Sequence, residues 1–197
     1  QVGEFSSIIG LIKRAQRTYG RIFTVSGAIA AFRKTALHRV GYWNEEMITE
    51  DIDISWRLQL DGWDIRYEPD AICYIYMPET LKGLWKQRLR WAQGGVEVLI
   101  RHTKGLFKWK NRAFWLIWLE YLTSVIWSYI MLIVLIVYVL GFFMRLPPEL
   151  SVPSMMPVWH GVILGFTCLS QFLVSLVIDR RYEQGQRLWR TYFWTIW

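Results

Sequence analysis

The chain has 197 residues, 53% hydrophobic and 17% aromatic, with a net charge of +7, which leaves room for one modest domain and a membrane part. The positive balance suggests nucleic acid, and the pattern excludes it. Basic residues concentrate from Lys82 to Arg112, directly before an apolar stretch, where an anionic cytoplasmic membrane face draws them, and no nucleic-acid-binding module is present. Cys73, Cys168, His38, His102 and His160 show no disulfide-framework or ligand spacing, so no metal site is expected and each histidine reads as a surface or interfacial residue.

Along the chain, Phe5, Ile8, Ile9, Ile12 and Ala15 recur at helical spacing between Glu4 and Tyr19, which predicts an amphipathic helix ending at Gly20. Ile22 to Phe32 reads as a β-rich segment interrupted by Ser26-Gly27, a signal of close approach or a bulge that can shape a wall beside an acceptor. Arg33 to Val40 predicts a short helix closed by Gly41, and Ile52 to Leu60 a second one, with Ile52, Trp56 and Leu60 on one face and Gly62 as its stop. Trp63 to Glu68 and Ala71 to Tyr76 read as two strands around Pro69, so the fold class expected for this part is α/β.

Thr80 can cap a helix from Leu81 to about Gln93, ended by Gly94-Gly95. Its apolar residues Leu81, Leu84, Trp85 and Leu89 alternate with Lys82, Lys86, Arg88 and Arg90, which suits a helix lying in a membrane interface; an ordinary surface helix has the same pattern. Ala113 to Met144 is apolar apart from Glu120 and long enough to cross ~30 Å of hydrocarbon, and Val158 to Ile178 is a second span of about 21 residues. Both Lys82–Arg112 and the segment with Arg180, Arg181, Arg187 and Arg190 are basic, whereas Arg145–Pro157 is not. The positive-inside rule therefore puts the soluble part and the Asp179–Arg190 loop in the cytoplasm. Glu120 in the first span reads equally as a channel-facing functional carboxylate or as a snorkelling one. The chain starts without Met or a leader and stops at Trp197, inside a third apolar run of about ten residues from about residue 188, so it reads as an internal piece of a longer protein.

Two motifs carry chemistry. Thr49-Glu50-Asp51 stands at a helix start, where backbone N–H groups favour an ionised carboxylate, the form a general base needs; the same residues also suit an ordinary helix N-terminus, and Asp53 reads as a helix-surface charge. Gln87, Arg90 and Trp91 occupy i, i+3 and i+4 and share a helix face, offering an amide, a guanidinium and an indole to a sugar diphosphate beside a sugar ring. Taken alone, each motif also fits a structural role.

The Thr-Glu-Asp triplet, the Gln-x-x-Arg-Trp helix and the membrane spans, in that order, resemble the C-terminal part of processive membrane glycosyltransferases of family 2, the group of cellulose, chitin and hyaluronan synthases. The phrases QVGEFSSIIGLIKRAQRTYG (1–20), ITEDIDISW (48–56), Tyr67-Glu68-Pro69 and MPETLKGLWKQRLRWAQGG (77–95) are similar to those of the branch that makes bacterial poly-β-1,6-N-acetylglucosamine for biofilm matrix. The resemblance implies the acceptor and base half of a GT-A-type domain over residues 1–80, an interfacial helix and basic juxtamembrane segment over 81–112, and a membrane region over 113–197, in the bacterial inner membrane. It makes Asp51 the general base and counts Glu50 beside it as catalytic too, and assigns Thr49, Gln87, Arg90 and Trp91 to substrate. It further implies UDP-N-acetylglucosamine as donor, a growing polysaccharide as acceptor, inversion at the anomeric carbon, and Mg²⁺ or Mn²⁺ held by an upstream Asp-x-Asp. A small membrane partner subunit and control by cyclic di-GMP also belong to that expectation. Asp51-Ile52-Asp53 is an Asp-x-Asp by letters but overlaps the base triplet and is not assigned to metal; with the donor half missing, this chain by itself is expected to be inactive. A synthase of another polysaccharide, or a non-catalytic membrane subunit that guides polysaccharide, fits the same motifs, and a transporter fits less well.

Overall fold

A computed structural model describes residues 11–18, 21–145, 147–150 and 159–180. The chain divides into two units, Gln16–Thr123 and Gln1–Ala15 with Ser124–Trp197. In order, the helices are α1 (Lys13–Thr18), α2 (Lys34–Val40), α3 (Glu50–Leu60), α4 (Leu81–Leu106), a 3-10 turn (Trp109–Phe114), α5 (Trp115–Phe143), a second 3-10 turn (Pro148–Leu150) and α6 (Trp159–Asp179). Most of the expected first helix, including Gly20, lies outside the described residues, as does the third apolar run.

In the Gln16–Thr123 unit, α3 is the centre. One side of it sends Ile52 and Trp56 into a core with Met47, Val98, Leu99, Leu106 and Phe114, while the other sends Ile54 and Leu58 against Ala36 and Leu37 of α2. Trp56, fully buried, packs edge-on to Phe114 with ring centroids 4.8 Å apart. The helix stops are those expected. Gly41 closes α2 at φ 81°, and Gly62 follows α3 at φ 98°, both in the left-handed region that glycine enters without a Cβ clash.

The expected strands are not formed among the described residues, where the one β interaction is an antiparallel bridge between Ser26 and Ile29. The reason at 22–25 is local. The Gln59 side chain accepts from Ile22 N–H (3.1 Å) and donates to Ile22 C=O (2.6 Å), the Trp56 indole donates to Phe23 C=O (3.1 Å), and Val25 N–H donates to Ser55 Oγ (2.9 Å). Side chains from successive turns of α3 thus satisfy backbone groups that a neighbouring strand would otherwise satisfy. Residues 63–68 and 71–76 have no regular secondary structure, and Tyr74 and Tyr76 are almost fully exposed, at 95% and 84%.

The expected end of α4 at Gly94-Gly95 is corrected: the helix runs on to Leu106 and both glycines are buried within it. A Cβ at Gly94 would lie 2.5 Å from Thr49 Oγ1 and Cγ2, and one at Gly95 would collide with the Tyr121 hydroxyl. The glycines are therefore contact points for close packing rather than a stop, and the packing outweighs their ~1 kcal/mol helix penalty. The true end is built by side chains: Asn111 donates to Gly105 C=O (2.8 Å) and the Trp115 indole to Leu106 C=O (2.6 Å), covering carbonyls that a helix end leaves open. Thr80 does cap the start, its hydroxyl accepting from Gly83 N–H at 3.1 Å.

Two helical stretches, Trp109–Phe143 and Gly161–Ile178, are long and apolar enough to cross a membrane, with mean hydropathies of 2.6 and 2.1. Exposed Ile130, Ile133, Phe142 and Phe143 on the first, and Ile163, Leu164 and Phe166 on the second, are what lipid-facing helices present.

Candidate active site

Thr49 occupies the position before the first residue of α3, so Glu50 and Asp51 lie inside the first helical turn rather than before it. Glu50 is exposed and Asp51 half-buried. Asp51 Oδ1 accepts from its neighbour's N–H, Ile52, at 2.9 Å, and its other oxygen faces Gly27, whose backbone N–H adds a second favourable contact. A Cβ at Gly27 would stand in ordinary contact, 3.4 Å from Asp51 Oδ2, so the 26–29 turn lies beside the carboxylate. The close approach read from Ser26-Gly27 is thus a contact with Asp51.

The electrostatics of Asp51 differ from the expectation. A helix start favours the ionised form, yet burial pushes the Asp51 carboxyl above its ordinary 3.8, and the Glu50 charge adds to this; the Ile52 and Gly27 N–H groups only partly offset them. A raised carboxyl is a stronger base once ionised, which suits proton abstraction from a hydroxyl.

Asp53 is not a surface charge. It is fully buried, with Oδ2 2.7 Å from Arg57 Nε and Oδ1 2.7 Å from His102 Nε2. Burial raises its pKa, but the His102 hydrogen bond and the Arg57 charge outweigh burial and hold the carboxyl below its ordinary value. His102, expected at the surface, is largely covered as Asp53's partner on α4, and Arg57 also donates to Val40 C=O at 2.6 Å.

On α4 the Gln87 amide oxygen is buried without a hydrogen-bond partner among the described residues, a costly state for an acceptor. Arg90 is exposed, and Trp91 is half-buried with the Arg88 guanidinium 4.6 Å above its ring. Arg88 was not singled out in the sequence; its i, i+3 spacing to Trp91 is the signal that finds it. The triplet and α4 meet at Thr49, 4% exposed, which lies against Gly94, three residues beyond Trp91. Thr49 Oγ1 is likewise buried and unpartnered among the described residues.

The residues present do not fit a divalent cation. Asp53 is consumed by Arg57 and His102, and no group of three His, Cys, Asp or Glu side chains that could hold an ion stands together among the described residues.

A model of the family described as glycosyl transferase family group 2 matches residues 2–178. The poly-beta-1,6-N-acetyl-D-glucosamine synthase of Staphylococcus epidermidis is 43% identical over 184 residues, 93% of this chain and 45% of that protein. The protein of the same name in Staphylococcus aureus is 42% identical over the same shares. The chain thus spans about half the length of the curated relatives it matches. No solved structure matches it.

Proposed function

The chain belongs to glycosyl transferase family group 2, and from that membership we propose that it forms the acceptor-side half of a membrane synthase that polymerises N-acetylglucosamine from UDP-N-acetylglucosamine into a β-1,6-linked polysaccharide of biofilm matrix. The observation that carries the reading is the Asp51 carboxylate, half-buried against Gly27, raised in basicity, and tied through Thr49 to the helix that presents Gln87, Arg90 and Trp91. The names of the staphylococcal relatives supply the sugar and the linkage.

In this mechanism Asp51 accepts the proton of the acceptor's primary hydroxyl as that oxygen attacks the anomeric carbon of the donor, and the bond from that carbon to the UDP oxygen breaks with inversion. Arg90, its guanidinium open to solvent, meets the departing diphosphate. The buried Gln87 oxygen takes a sugar hydroxyl as its missing donor, and Trp91 offers an edge or face to the terminal sugar of the acceptor. Glu50 raises the base by its charge and is placed beside the reaction rather than in it. No step here passes through a metal ion.

The segments 63–68 and 71–76 are then strands of a GT-A-type α/β sheet completed in the whole enzyme, whose relatives are about twice as long. The two apolar helices cross the bacterial inner membrane, with Lys104, Lys108, Lys110 and Arg112 at the cytoplasmic face beside the catalytic part. A small membrane partner subunit and cyclic di-GMP control complete the proposal, on the family resemblance alone.

The test uses membranes with the full-length enzyme and its partner subunit, wild type against Asp51→Asn at equal protein levels, and follows polymer from labelled UDP-N-acetylglucosamine. Polymer in the wild type with near-complete loss in the variant supports donor and base together. Equal polymer from both removes Asp51 from the mechanism. Polymer from another UDP-sugar alone keeps a synthase and discards N-acetylglucosamine.

A further inference from the structure

Asp53 and His102 lie 49 residues apart in sequence and within 2.7 Å in space. Their placement is specific. Asp53 is two residues after the base Asp51 on α3, and His102 is on α4, the helix that carries Gln87, Arg90 and Trp91. Both Asp53 oxygens are taken, by Arg57 and His102, and a buried charge of this kind is no simple stabiliser, because desolvation opposes it.

Two geometric facts give the pair a role. First, every buried residue of α4 lies from Gly94 onward (Gly94, Gly95, Val98, Leu99 and Leu106), so the half that follows the Gln-x-x-Arg-Trp residues is the one seated in the core. Second, the contacts of that second half with α3 and its approach are of different kinds. Thr49 against Gly94 and the apolar core set how close the helices come, and Arg101 adds a half-exposed contact to Met47 Sδ (3.2 Å) and Glu46 (4.0 Å). What the buried Asp53–His102 bond adds is direction, because a hydrogen bond fails when donor and acceptor move apart or misalign. Asp53 is itself fixed from a third direction, since Arg57 bonds both its Oδ2 and the Val40 carbonyl at the end of α2.

We propose that Asp53 and His102 are a positioning pair for sugar transfer: the buried bond between them sets the rotation and tilt of α4, and with it the pose of Gln87, Arg90 and Trp91 relative to Asp51. The proposal rests on the reading of Asp51 as base. His102 donates its Nε2 proton to Asp53 Oδ1, and neither residue gives or takes a proton in the reaction.

The experiment uses the full-length enzyme in membranes with UDP-N-acetylglucosamine, and compares His102→Ala, which removes the donor, with His102→Gln, whose amide N–H can take the imidazole's place. At equal protein level His102→Ala lowers turnover on the order of 10–100-fold with little change in the KM for donor, as a displaced reacting group does, and His102→Gln restores most of it. A structural readout runs beside it: spin labels at His38→Cys on α2 and Lys86→Cys on α4, with Cys73→Ser and Cys168→Ser, give a distance distribution that is narrow with His or Gln at 102 and broad with Ala. Wild-type turnover in His102→Ala overturns the proposal, and so does a glutamine variant as impaired as the alanine one. If the alanine variant does not accumulate, His102→Asn, one methylene shorter, takes its place under the same criteria. Asp51→Asn in parallel separates the two ideas: an active Asp51→Asn sinks the base assignment, while the label distances still decide whether the pair holds α4.

Discussion

Replacing Gly94 by alanine puts two rules in direct opposition. On helix propensity alone the change stabilises α4 by about 1 kcal/mol, because glycine carries the larger backbone entropy loss. On geometry it does the reverse. The added Cβ would stand 2.5 Å from Thr49 Oγ1 and Cγ2 and 2.9 Å from its Cβ, whereas ordinary contact begins at 3.4 Å. One side or the other must therefore move by about 1 Å. Thr49 is 4% exposed and β-branched, so it has little rotamer freedom with which to yield. Overpacking of this kind costs about 1–3 kcal/mol, and three close atoms of a stiff side chain put it at the upper end. The net expectation is a loss of about 2 kcal/mol, or a fall in unfolding midpoint of about 9 °C for a unit the size of Gln16–Thr123. Gly105 on the same helix is the control, because a Cβ there meets nothing within 4 Å and alanine should be neutral or stabilising. The assay is thermal unfolding of the purified protein with polymer synthesis measured in parallel. Synthesis falls in Gly94→Ala, because Thr49 adjoins Glu50 and Asp51, and holds in Gly105→Ala. A Gly94→Ala protein as stable as the Gly105→Ala one would refute the packing of Thr49 on α4.

Asp51→Asn should lose on the order of 10²–10⁴-fold in rate while the folded protein becomes no less stable, since a carboxyl whose pKa is raised by burial opposes folding once ionised. The acid limb of the rate against pH should lie above the ordinary carboxylate value, activity falling as pH drops through the raised pKa; Glu50→Gln moves that limb to lower pH, and an unmoved limb counts against Asp51 as the titrating base. Asp53 has the opposite sign. Its pKa is depressed, so its contribution to stability is present above the ordinary 3.8 and is lost as pH falls through the folded value. Asp53→Asn should accordingly flatten the acid dependence of unfolding, and a variant with the wild-type dependence would show that Asp53 is not its source. Trp56→Ala, which empties a fully buried indole site beside Phe23 and Phe114, should cost about 3–5 kcal/mol by denaturant unfolding.

What the sequence made legible was local or compositional. Thr80 before Leu81, and Gly41 and Gly62 at the ends of α2 and α3, act through a neighbour's N–H or their own φ, so a window of a few residues contains the cause. The two apolar stretches are set by composition alone. Gly94-Gly95 was misread because a glycine's meaning depends on what approaches it, and Thr49 and Tyr121 are distant in the chain. Asp53 was misread for the same reason: a helical Asp with Arg four residues on looks like a surface pair until His102 arrives from α4. At residues 22–25, Ser55, Trp56 and Gln59 supply the backbone hydrogen bonds that pattern alone assigns to a sheet. Of the candidate site, the shared helix of Gln87, Arg90 and Trp91 was legible from their spacing, whereas the burial that raises the Asp51 carboxyl was not.

The division of α4 has a mechanical consequence. Its 26 residues form a rod of about 39 Å at the helical rise. One end bears Leu81, Trp85 and Leu89, spaced four apart and 85%, 69% and 56% exposed, while the other is seized by Thr49, Tyr121 and Asp53. A rod gripped over one half is a lever whose other arm carries an apolar stripe and whose fulcrum is Gly94. Seated in a headgroup layer, that stripe would make the depth and packing of the lipids part of the alignment of Gln87, Arg90 and Trp91, so that the bilayer would serve as a gauge block for the chemistry beside it.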